Sequence, residues 1–322
     1  MLHLRHRWIR GIIIRIWVIS FRLVPYSPRV SREQLTPSCW LSIGFVHADL
    51  KATMPVVKAK TPGPVLALVL LFFSACDMQT RVLYHPGQVS VAEVQQYSLS
   101  NEMQMWPIEG KTYQGIVSRN SPTTFRGTVI VFHGNRGPAV LRTCYVDALQ
   151  VRGYRVVLAE YPGYGGRPGE LSEKSLVTDA RRTATRAVSD FGRPLYLWGE
   201  SLGCGVASAL AADGAIRPKG VIMLTPWDSL INEGKAKTPW LPVQLLLQDK
   251  YDNVANLSHY KGPVAVIMCR KDQVIPNKLT EQLYASLSSP KRLWIFEGAG
   301  HDDWPDIPEL HWWDEVMDFL NS

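Results

Sequence analysis

The sequence predicts an α/β fold in which a mostly parallel central sheet carries helices on both faces. Short apolar runs alternate with longer helical segments along residues 77–322, and this alternation favours right-handed βαβ connections. Of the 322 residues, 46% are hydrophobic and 20% are charged. Such a chain can bury the core of one α/β domain of about 200 to 250 residues. Ligands of these sheets bind beyond the carboxyl ends of the strands.

Eight apolar runs are the predicted strands. The first two, near Tyr97–Met105 and Thr112–Val117, are short and bounded by polar residues and glycine. The third, Thr128–Phe132, is unbroken, as expected of a strand that is buried on both faces. The other predicted strands are Tyr154–Glu160, Leu195–Trp198, Gly220–Thr225, Val264–Cys269 and Arg292–Phe296.

Five segments are predicted helices, and one further segment interrupts the alternation. The predicted helices are Val140–Val151, Glu173–Phe191, Leu202–Ala212, Asn277–Leu287 and Leu310–Leu320. Residues 227–261 contain Pro239, Trp240 and Pro242, followed by a polar tail rich in aromatic residues. Because this composition breaks the alternation of strands and helices, we predict that residues 227–261 form a small cap insertion.

The positive charge of the chain lies at its N-terminal end. The formal net charge is +7, but residues 1–53 carry +6 and residues 54–75 carry +2, which leaves about −1 for residues 76–322. A nucleic-acid-binding domain is expected to be basic itself. The charge distribution therefore argues against a nucleic-acid partner for the folded domain.

Residues 54–76 have the build of a secretory signal peptide. Two lysines precede the apolar run Val65–Phe73, and the small residues Ser74 and Ala75 stand before Cys76. Nine residues rise only about 14 Å as a helix, which is too short for a bilayer core of about 30 Å. The ending Phe-Ser-Ala-Cys resembles the lipobox of bacterial lipoproteins, which implies lipidation of Cys76. A plain signal sequence or an uncleaved anchor is the alternative.

Two expectations follow for the location of the protein and for its first residues. The targeting signal predicts export, with a lipid anchor in the bacterial cell membrane and a domain that faces the periplasm. Because a complete signal begins at Met54, residues 1–53 are expected to be over-annotated upstream sequence or a disordered extension. A basic amphipathic helix on a membrane surface, over residues 8–22, is the other interpretation of that segment.

The pentapeptide Gly199-Glu-Ser201-Leu-Gly203 lies between a predicted strand and a predicted helix. The pattern G-x-S-x-G occurs by chance in about one chain in ten of this length. It indicates a nucleophile here because it lies between a predicted strand and a predicted helix. A sharp strand-to-helix turn brings backbones too close for side chains at the glycines and exposes the serine hydroxyl. Ser201 is therefore the predicted nucleophile.

A serine hydroxyl needs a base that takes its proton, and the base needs an acid that fixes its tautomer. In this type of sheet the expected chain order is serine, acid, histidine. Asp272 follows the predicted strand Val264–Cys269, and His301 follows the predicted strand Arg292–Phe296. We therefore predict His301 as the base and Asp272 as the acid.

Competing residues are few. His133 precedes Ser201 in the chain, and His259 and His311 fall in the predicted cap and the last predicted helix, so each is interpreted as a structural or surface residue. Asp228 also follows a predicted strand and stays open as an alternative acid.

The oxyanion formed by attack on a carbonyl needs two preorganised donors. The N–H group of Leu202 follows the predicted nucleophile and is one predicted donor. The loop His133-Gly-Asn-Arg-Gly137 follows the third predicted strand and offers the N–H group of Asn135 as the second.

Five motifs together resemble the serine-aminopeptidase-like, bud-emergence-type branch of the α/β-hydrolases. They are His-Gly-Asn-x-Gly at 133–137, Tyr-Pro-Gly-Tyr-Gly-Gly at 161–166, Gly-Glu-Ser-Leu-Gly at 199–203, Asp-Gln-Val-Ile-Pro at 272–276 and Gly-Ala-Gly-His at 298–301. The resemblance covers about residues 85–320. It implies an α/β-hydrolase fold, the triad and oxyanion assignments above, and no metal or organic cofactor.

The resemblance also implies that Tyr161 and Tyr164 lie near the site, as substrate contacts or as a structural turn. It leaves the substrate open, because a fold and a family label do not fix a function. We expect a small-molecule or acylated substrate and a serine hydrolase that cleaves an ester, thioester or amide bond through an acyl-enzyme. A non-catalytic binding protein of the same fold and a cofactor-free perhydrolase are the alternatives.

Overall fold

Eight strands form a single sheet in the structure, a computed structural model that describes residues 79–107, 113–306 and 308–322. The strands are β1 Met103–Trp106, β2 Gly115–Ser118, β3 Gly127–Phe132, β4 Tyr154–Ala159, β5 Leu195–Glu200, β6 Gly220–Leu224, β7 Val264–Cys269 and β8 Lys291–Phe296. The predictions for residues 1–53, for the signal peptide at 54–76 and for Cys76 lie outside the described residues.

The spatial order of the strands is β1-β2-β4-β3-β5-β6-β7-β8. The strand β2 runs antiparallel to β1 and β4, and all the other neighbours are parallel. Parallel neighbours require a crossover that packs on a sheet face, which is why helices separate the strands along the chain. The predicted mostly parallel sheet is confirmed.

Helices lie between most of the strands. They are α1 Val91–Ser100, α2 Thr143–Gln150, α3 Glu173–Phe191, α4 Leu202–Ala211, α5 Leu230–Lys237, α6 Val243–Leu246, α7 Asn253–Leu257, α8 Asn277–Ser286 and α9 Leu310–Phe319. Residues 79–83 are also helical, and 3-10 turns cover Ala139–Arg142 and Trp304–Asp306. Within the ranges that the structure describes, no helix is long and apolar enough to cross a bilayer.

The core lies on both faces of the sheet, because alternate residues of each strand point to opposite sides. On one face, Ile130 and Leu197 belong to a buried cluster that includes residues of α3, α4 and α8. On the other face, Val131 and Trp198 belong to a cluster that includes residues of α2 and α9. The continuous apolar runs of β3 and β5 follow from this two-sided burial.

One predicted element is wrong in part. The run near Tyr97–Met105 was expected to be a strand, but residues 97–100 end helix α1 and only Met103–Trp106 is extended. The helix begins with a capping box, in which Ser90 accepts the amide of Glu93 and the Glu93 carboxylate accepts the amide of Ser90. This local signal outweighs the strand propensity of the residues that follow.

The connection from β6 to β7 contains the three short helices α5, α6 and α7, and it includes the predicted cap segment 227–261. Its second half packs on the body of the domain. A Cβ atom on Gly205 of α4 would lie 2.3 Å from Cδ1 of Tyr251, so the two segments are in close contact. The side-chain amide of Asn253 also donates to the carbonyl of Trp227 at 2.8 Å, which joins α7 to the start of the connection.

Candidate active site

Ser201 stands at the turn between β5 and α4 in a backbone conformation that few residues adopt. Its φ is +52° and its ψ is −112°, and its amide donates to the carbonyl of Leu224 in β6 at 2.9 Å. A Cβ atom on Gly203 would lie 1.9 Å from the carbonyl oxygen of Phe132, and one on Gly199 would lie 2.5 Å from Cα of Cys204. The two glycines of the motif are therefore required by close backbone contact.

The structure brings the three predicted triad residues into one chain of hydrogen bonds. Nε2 of His301 lies 3.0 Å from Oγ of Ser201, and Nδ1 lies 2.7 Å from Oδ2 of Asp272. Donation from Nδ1–H to the carboxylate leaves Nε2 of a neutral imidazole as the acceptor that faces the serine hydroxyl. Ser201 is 8% exposed, so the residue is largely shielded from solvent.

The loop after β7 fixes the carboxylate of Asp272. Oδ1 accepts the amides of Val274 at 2.7 Å and Ile275 at 2.8 Å, which leaves Oδ2 for His301. Asp228, the alternative acid, is bound elsewhere. Its carboxylate accepts the amide of Ser229 and the side-chain amide of Asn232, each at 2.6 Å. The geometry therefore favours Asp272 over Asp228 as the partner of the histidine.

The three competing histidines make their contacts with residues other than Ser201. His133 is buried and its Nε2 lies 3.1 Å from Oε1 of Glu160, so it belongs to the structure beneath the site. His311 is exposed on α9 beside Glu309 and Glu315. His259 is exposed after α7. All three positions agree with their interpretation as structural or surface residues.

Two backbone N–H groups are available near the hydroxyl of Ser201. Leu202 is the first residue of α4, where N–H groups have no partner within the helix, and Asn135 follows Gly134. A Cβ atom on Gly134 would lie 3.6 Å from Cβ of Ser201, so this loop passes directly beside the nucleophile position. Among the described residues, neither N–H group has a hydrogen-bond acceptor. The predicted oxyanion donors thus lie on the two segments that flank Ser201.

Tyr161 and Tyr164 lie beneath that loop instead of facing a substrate. They are 2% and 0% exposed, and their hydroxyls donate to the carbonyls of His133 and Asn135, each at 2.9 Å. Burial raises the pKa of both phenols above the usual value. The prediction of substrate contact is therefore replaced by a positioning role, since the two phenols hold the backbone that carries the Asn135 N–H group.

A buried carboxylate that the sequence analysis did not select organises the same region. Glu160, at the end of β4, lies beside Nε2 of His133 and accepts the amide of Ala139 at 2.9 Å. A charged residue that ends an otherwise apolar run was the available signal. Because buried carboxylates must find donors, Glu160 draws three segments of backbone together beneath the loop that follows β3.

Glu200, next to Ser201, is a second carboxylate in this region. Its Oε1 accepts from Nη2 of Arg142 and its Oε2 from the hydroxyl of Tyr145, each at 3.2 Å. Burial raises the pKa of Glu200, but the charge and hydrogen bond of Arg142, the charge of His133 and the hydrogen bond of Tyr145 outweigh it. The pKa of Glu200 is therefore lowered, and the carboxylate stays charged.

The free thiols of Cys204 and Cys269 are buried. Burial raises the pKa of the Cys204 thiol well above its usual value and that of Cys269 to about 12. Neither thiol is a reactive thiolate at neutral pH. In the part of the chain that the structure describes, no group of three or more His, Cys, Asp and Glu side chains is arranged to hold a metal ion.

The fold and this arrangement define an α/β-hydrolase. A model of the serine aminopeptidase S33 family of hydrolases matches residues 123–247. The uncharacterized protein Rv2307c of Mycobacterium tuberculosis is 32% identical over 257 residues, which cover 77% of this chain and 89% of that protein. The chain belongs to the same family as this mycobacterial protein.

The other proteins that this chain resembles include a lipase and an esterase. The lysophosphatidylserine lipase ABHD12 of Danio rerio is 27% identical over 184 residues, which cover 51% of this chain and 48% of the lipase. The esterase Pf2001 of Pyrococcus furiosus superimposes with a TM-score of 0.55 at 17% identity, covering 74% of this chain and 97% of the esterase. TT1662 of Thermus thermophilus gives 0.53 at 22% identity, covering 64% and 93%. The two solved structures share the fold, and the sequence relatives identify a hydrolase.

Proposed function

We propose that the protein is a serine hydrolase that cleaves a carboxylic ester, with thioesters and amides as further members of the same reaction class. The observation that carries the proposal is the chain of hydrogen bonds from Ser201 through His301 to Asp272. All three side chains follow the carboxyl ends of parallel strands, where sheets of this class bind ligands.

In the proposed reaction, Oγ of Ser201 attacks the substrate carbonyl while Nε2 of His301 accepts the hydroxyl proton. The carboxylate of Asp272 stabilises the imidazolium that forms and keeps Nε2 directed at the serine. The imidazolium then gives its proton to the leaving alcohol, thiol or amine, which leaves an acyl group on Ser201. A water molecule, activated by the same imidazole, hydrolyses this ester and restores the enzyme.

The N–H groups of Asn135 and Leu202 stabilise the negative oxygen in both steps. Each such donor stabilises the transition state by about 3 kcal/mol. The two donors together therefore lower the reaction barrier by about as much as the base does. This contribution depends on fixed donors. The hydrogen bonds of Tyr161 and Tyr164 to the loop support that requirement.

The class of substrate that the relatives support best is a lipid ester with one acyl chain. The Danio rerio and rat relatives are lysophosphatidylserine lipases, at 27% and 26% identity. We propose that this chain acts on an acyl ester of the same general type, without commitment to the headgroup.

Labelling with a fluorophosphonate probe tests the nucleophile. We expect the wild-type protein and a His259→Ala control to react, and the Ser201→Ala variant not to react. We expect His301→Ala to react at least about 10³-fold more slowly, because the serine has lost its base. Persistent labelling of the Ser201→Ala variant would refute the assignment.

A panel of p-nitrophenyl esters of increasing chain length, with a matching thioester and aminoacyl amide, tests the reaction class. We expect hydrolysis of the esters that is lost in Ser201→Ala. Absence of both probe labelling and turnover of every member of the panel would favour a binding protein of this fold. Peroxide-dependent oxidation would favour the perhydrolase instead.

We also propose that the protein is exported and anchored through a lipid on Cys76. The proposal rests on the signal-like residues 54–76 and on the small residues before the cysteine. Mass spectrometry of the mature N-terminus from a bacterial host is the test. A diacylglyceryl mass on Cys76 is expected, and an unmodified Cys76 would refute the anchor.

A further inference from the structure

Two large apolar side chains are exposed in the connection that follows β6. Helix α5 ends at Lys237 and α6 begins at Val243. Trp240, in the turn between them, and Leu245, on α6, are 67% and 70% exposed. An indole and a leucine that are this open to water, five residues apart, indicate a binding face, because buried positions take most large apolar side chains of the domain.

The backbone of the turn is fixed, so the exposure of these side chains is a feature of the folded state. The hydroxyl and the amide of Thr238 both donate to the carbonyl of Gly234 at 2.8 Å. The amide of Leu241 donates to the carbonyl of Thr238 at 3.0 Å. A Cβ atom on Gly234 would lie 2.7 Å from Cγ1 of Val243, so α5 and α6 pack in close contact.

The charge of this segment has one sign. Residues 234–248 contain Lys235 and Lys237 and no Asp or Glu. Lys237 binds the carboxylate of Glu233, which is buried. Lys235 is exposed and has no ion-pair partner among the described residues. The interface of an anionic bilayer binds tryptophan and aliphatic side chains and attracts a lysine that has no ion-pair partner. This segment presents all three.

We propose that the tip surface, defined as Lys235, Trp240 and Leu245, binds the surface of an anionic lipid bilayer. A second copy of the chain is a poorer partner, because a symmetric contact would bring two Lys235 side chains together, whereas anionic headgroups neutralise each one. Binding of lipid at the tip surface requires no turnover. The test of this binding is therefore independent of the test of the proposed hydrolysis.

The connection that carries the tip surface starts beside Ser201. It begins after the carboxyl end of β6, and the carbonyl of Leu224, the last residue of β6, accepts the amide hydrogen bond of Ser201.

Flotation of the full-length Ser201→Ala protein, produced in a cell-free system that does not lipidate Cys76, with phosphatidylcholine vesicles, with and without phosphatidylglycerol, tests the proposal. Relative to this background, adding Trp240→Ser and Leu245→Ser is expected to weaken binding at least about tenfold. The matched control adds Val151→Ser and Leu310→Ser, which removes two apolar side chains that are each 79% exposed elsewhere. This control is expected to bind as the background does.

The lysine is tested separately. Lys235→Gln is expected to weaken binding about fivefold on the anionic vesicles and to have no effect on neutral ones. Lys261→Gln, which removes an exposed lysine just before β7, is the matched control and is expected to change nothing. Equal loss of binding in both lysine variants would overturn the role of the tip surface.

A local measurement removes the influence of other segments on affinity. Vesicles of brominated lipid are expected to quench a component of tryptophan emission that is lost in Trp240→Phe, a variant that keeps an apolar side chain. Loss of that component supports contact at the tip surface even where other residues dominate affinity. An unchanged quenched component would overturn the proposal. So would sedimentation data in which the Trp240→Ser and Leu245→Ser changes dissociate a dimer without weakening vesicle binding.

Discussion

Replacing Tyr161 with phenylalanine tests whether the buried tyrosines position the oxyanion donors. The change removes one hydroxyl from a fully packed ring and leaves the carbonyl of His133 without its 2.9 Å donor. Leaving a buried carbonyl without its hydrogen-bond donor lowers the free energy of unfolding by about 1 to 2 kcal/mol. For a domain of this size, that lowers the melting temperature by about 2 to 8 °C.

The effect on turnover depends on the loop that begins at His133, because this loop carries the N–H group of Asn135. A fixed oxyanion donor contributes about 3 kcal/mol, and the loop keeps two other anchors, the Tyr164 hydroxyl and the amide of His85, on the carbonyl of Asn135. Partial loss of alignment should forfeit about half of that contribution. We therefore expect Tyr161→Phe to lower kcat about tenfold with little change in KM.

Tyr196→Phe is the matched control. Its hydroxyl also donates from a buried ring, to Oδ1 of Asn321 at 2.7 Å, but it lies near the amino end of β5, away from Ser201. Steady-state kinetics on an activated ester, with thermal unfolding of each variant, separate the two roles. If Tyr161→Phe and Tyr196→Phe lose similar stability and both keep wild-type kcat, the positioning argument is wrong.

Three further changes have distinct expected results. Asp272→Asn should lower kcat about 10³- to 10⁴-fold while Asp228→Asn keeps it within about threefold, measured with the same ester. Gly203→Ala should destabilise the fold by about 3 kcal/mol in urea unfolding, because its Cβ would collide with the carbonyl of Phe132. Glu200→Gln should lower the free energy of unfolding by less at about pH 3 than at about pH 5. A carboxylate with a lowered pKa stabilises the fold only while it is charged, and this contribution is lost as the pH falls. Equal costs at both pH values would contradict that assignment.

The parts of the fold that the sequence predicted well are those with a local cause. The predicted strand Thr128–Phe132 differs from β3 by one residue, and Val264–Cys269 is β7 itself. Both strands are buried on two faces, so burial alone makes them continuous apolar runs. The turn at Ser201 has a local cause in part, because a Cβ atom on Gly199 would lie 2.5 Å from Cα of Cys204, whereas Gly203 is required by the distant carbonyl of Phe132.

The positioning contacts of the site were not predictable, because they join residues that are distant in the sequence. Arg142 and Glu200 are 58 positions apart, and His133 and Glu160 are 27 apart. Neither pair has a spacing that indicates contact before the strand order is known. The same holds for Tyr161, whose motif placed it near the site while its donor role depends on where the carbonyl of His133 lies.

The position of Glu200 explains why a buried arginine lies behind the site. A Cβ atom on Gly134 would lie 3.3 Å from Oε1 of Glu200, so this carboxylate sits against the loop that carries the Asn135 N–H group. An uncompensated negative charge there would oppose the negative oxygen that develops in the proposed transition state. Arg142 supplies the opposite charge, and the hydroxyl of Tyr145 donates a further hydrogen bond. The ion pair therefore allows a charged residue to stand beside Ser201 without weakening the electrostatics on which the proposed reaction depends.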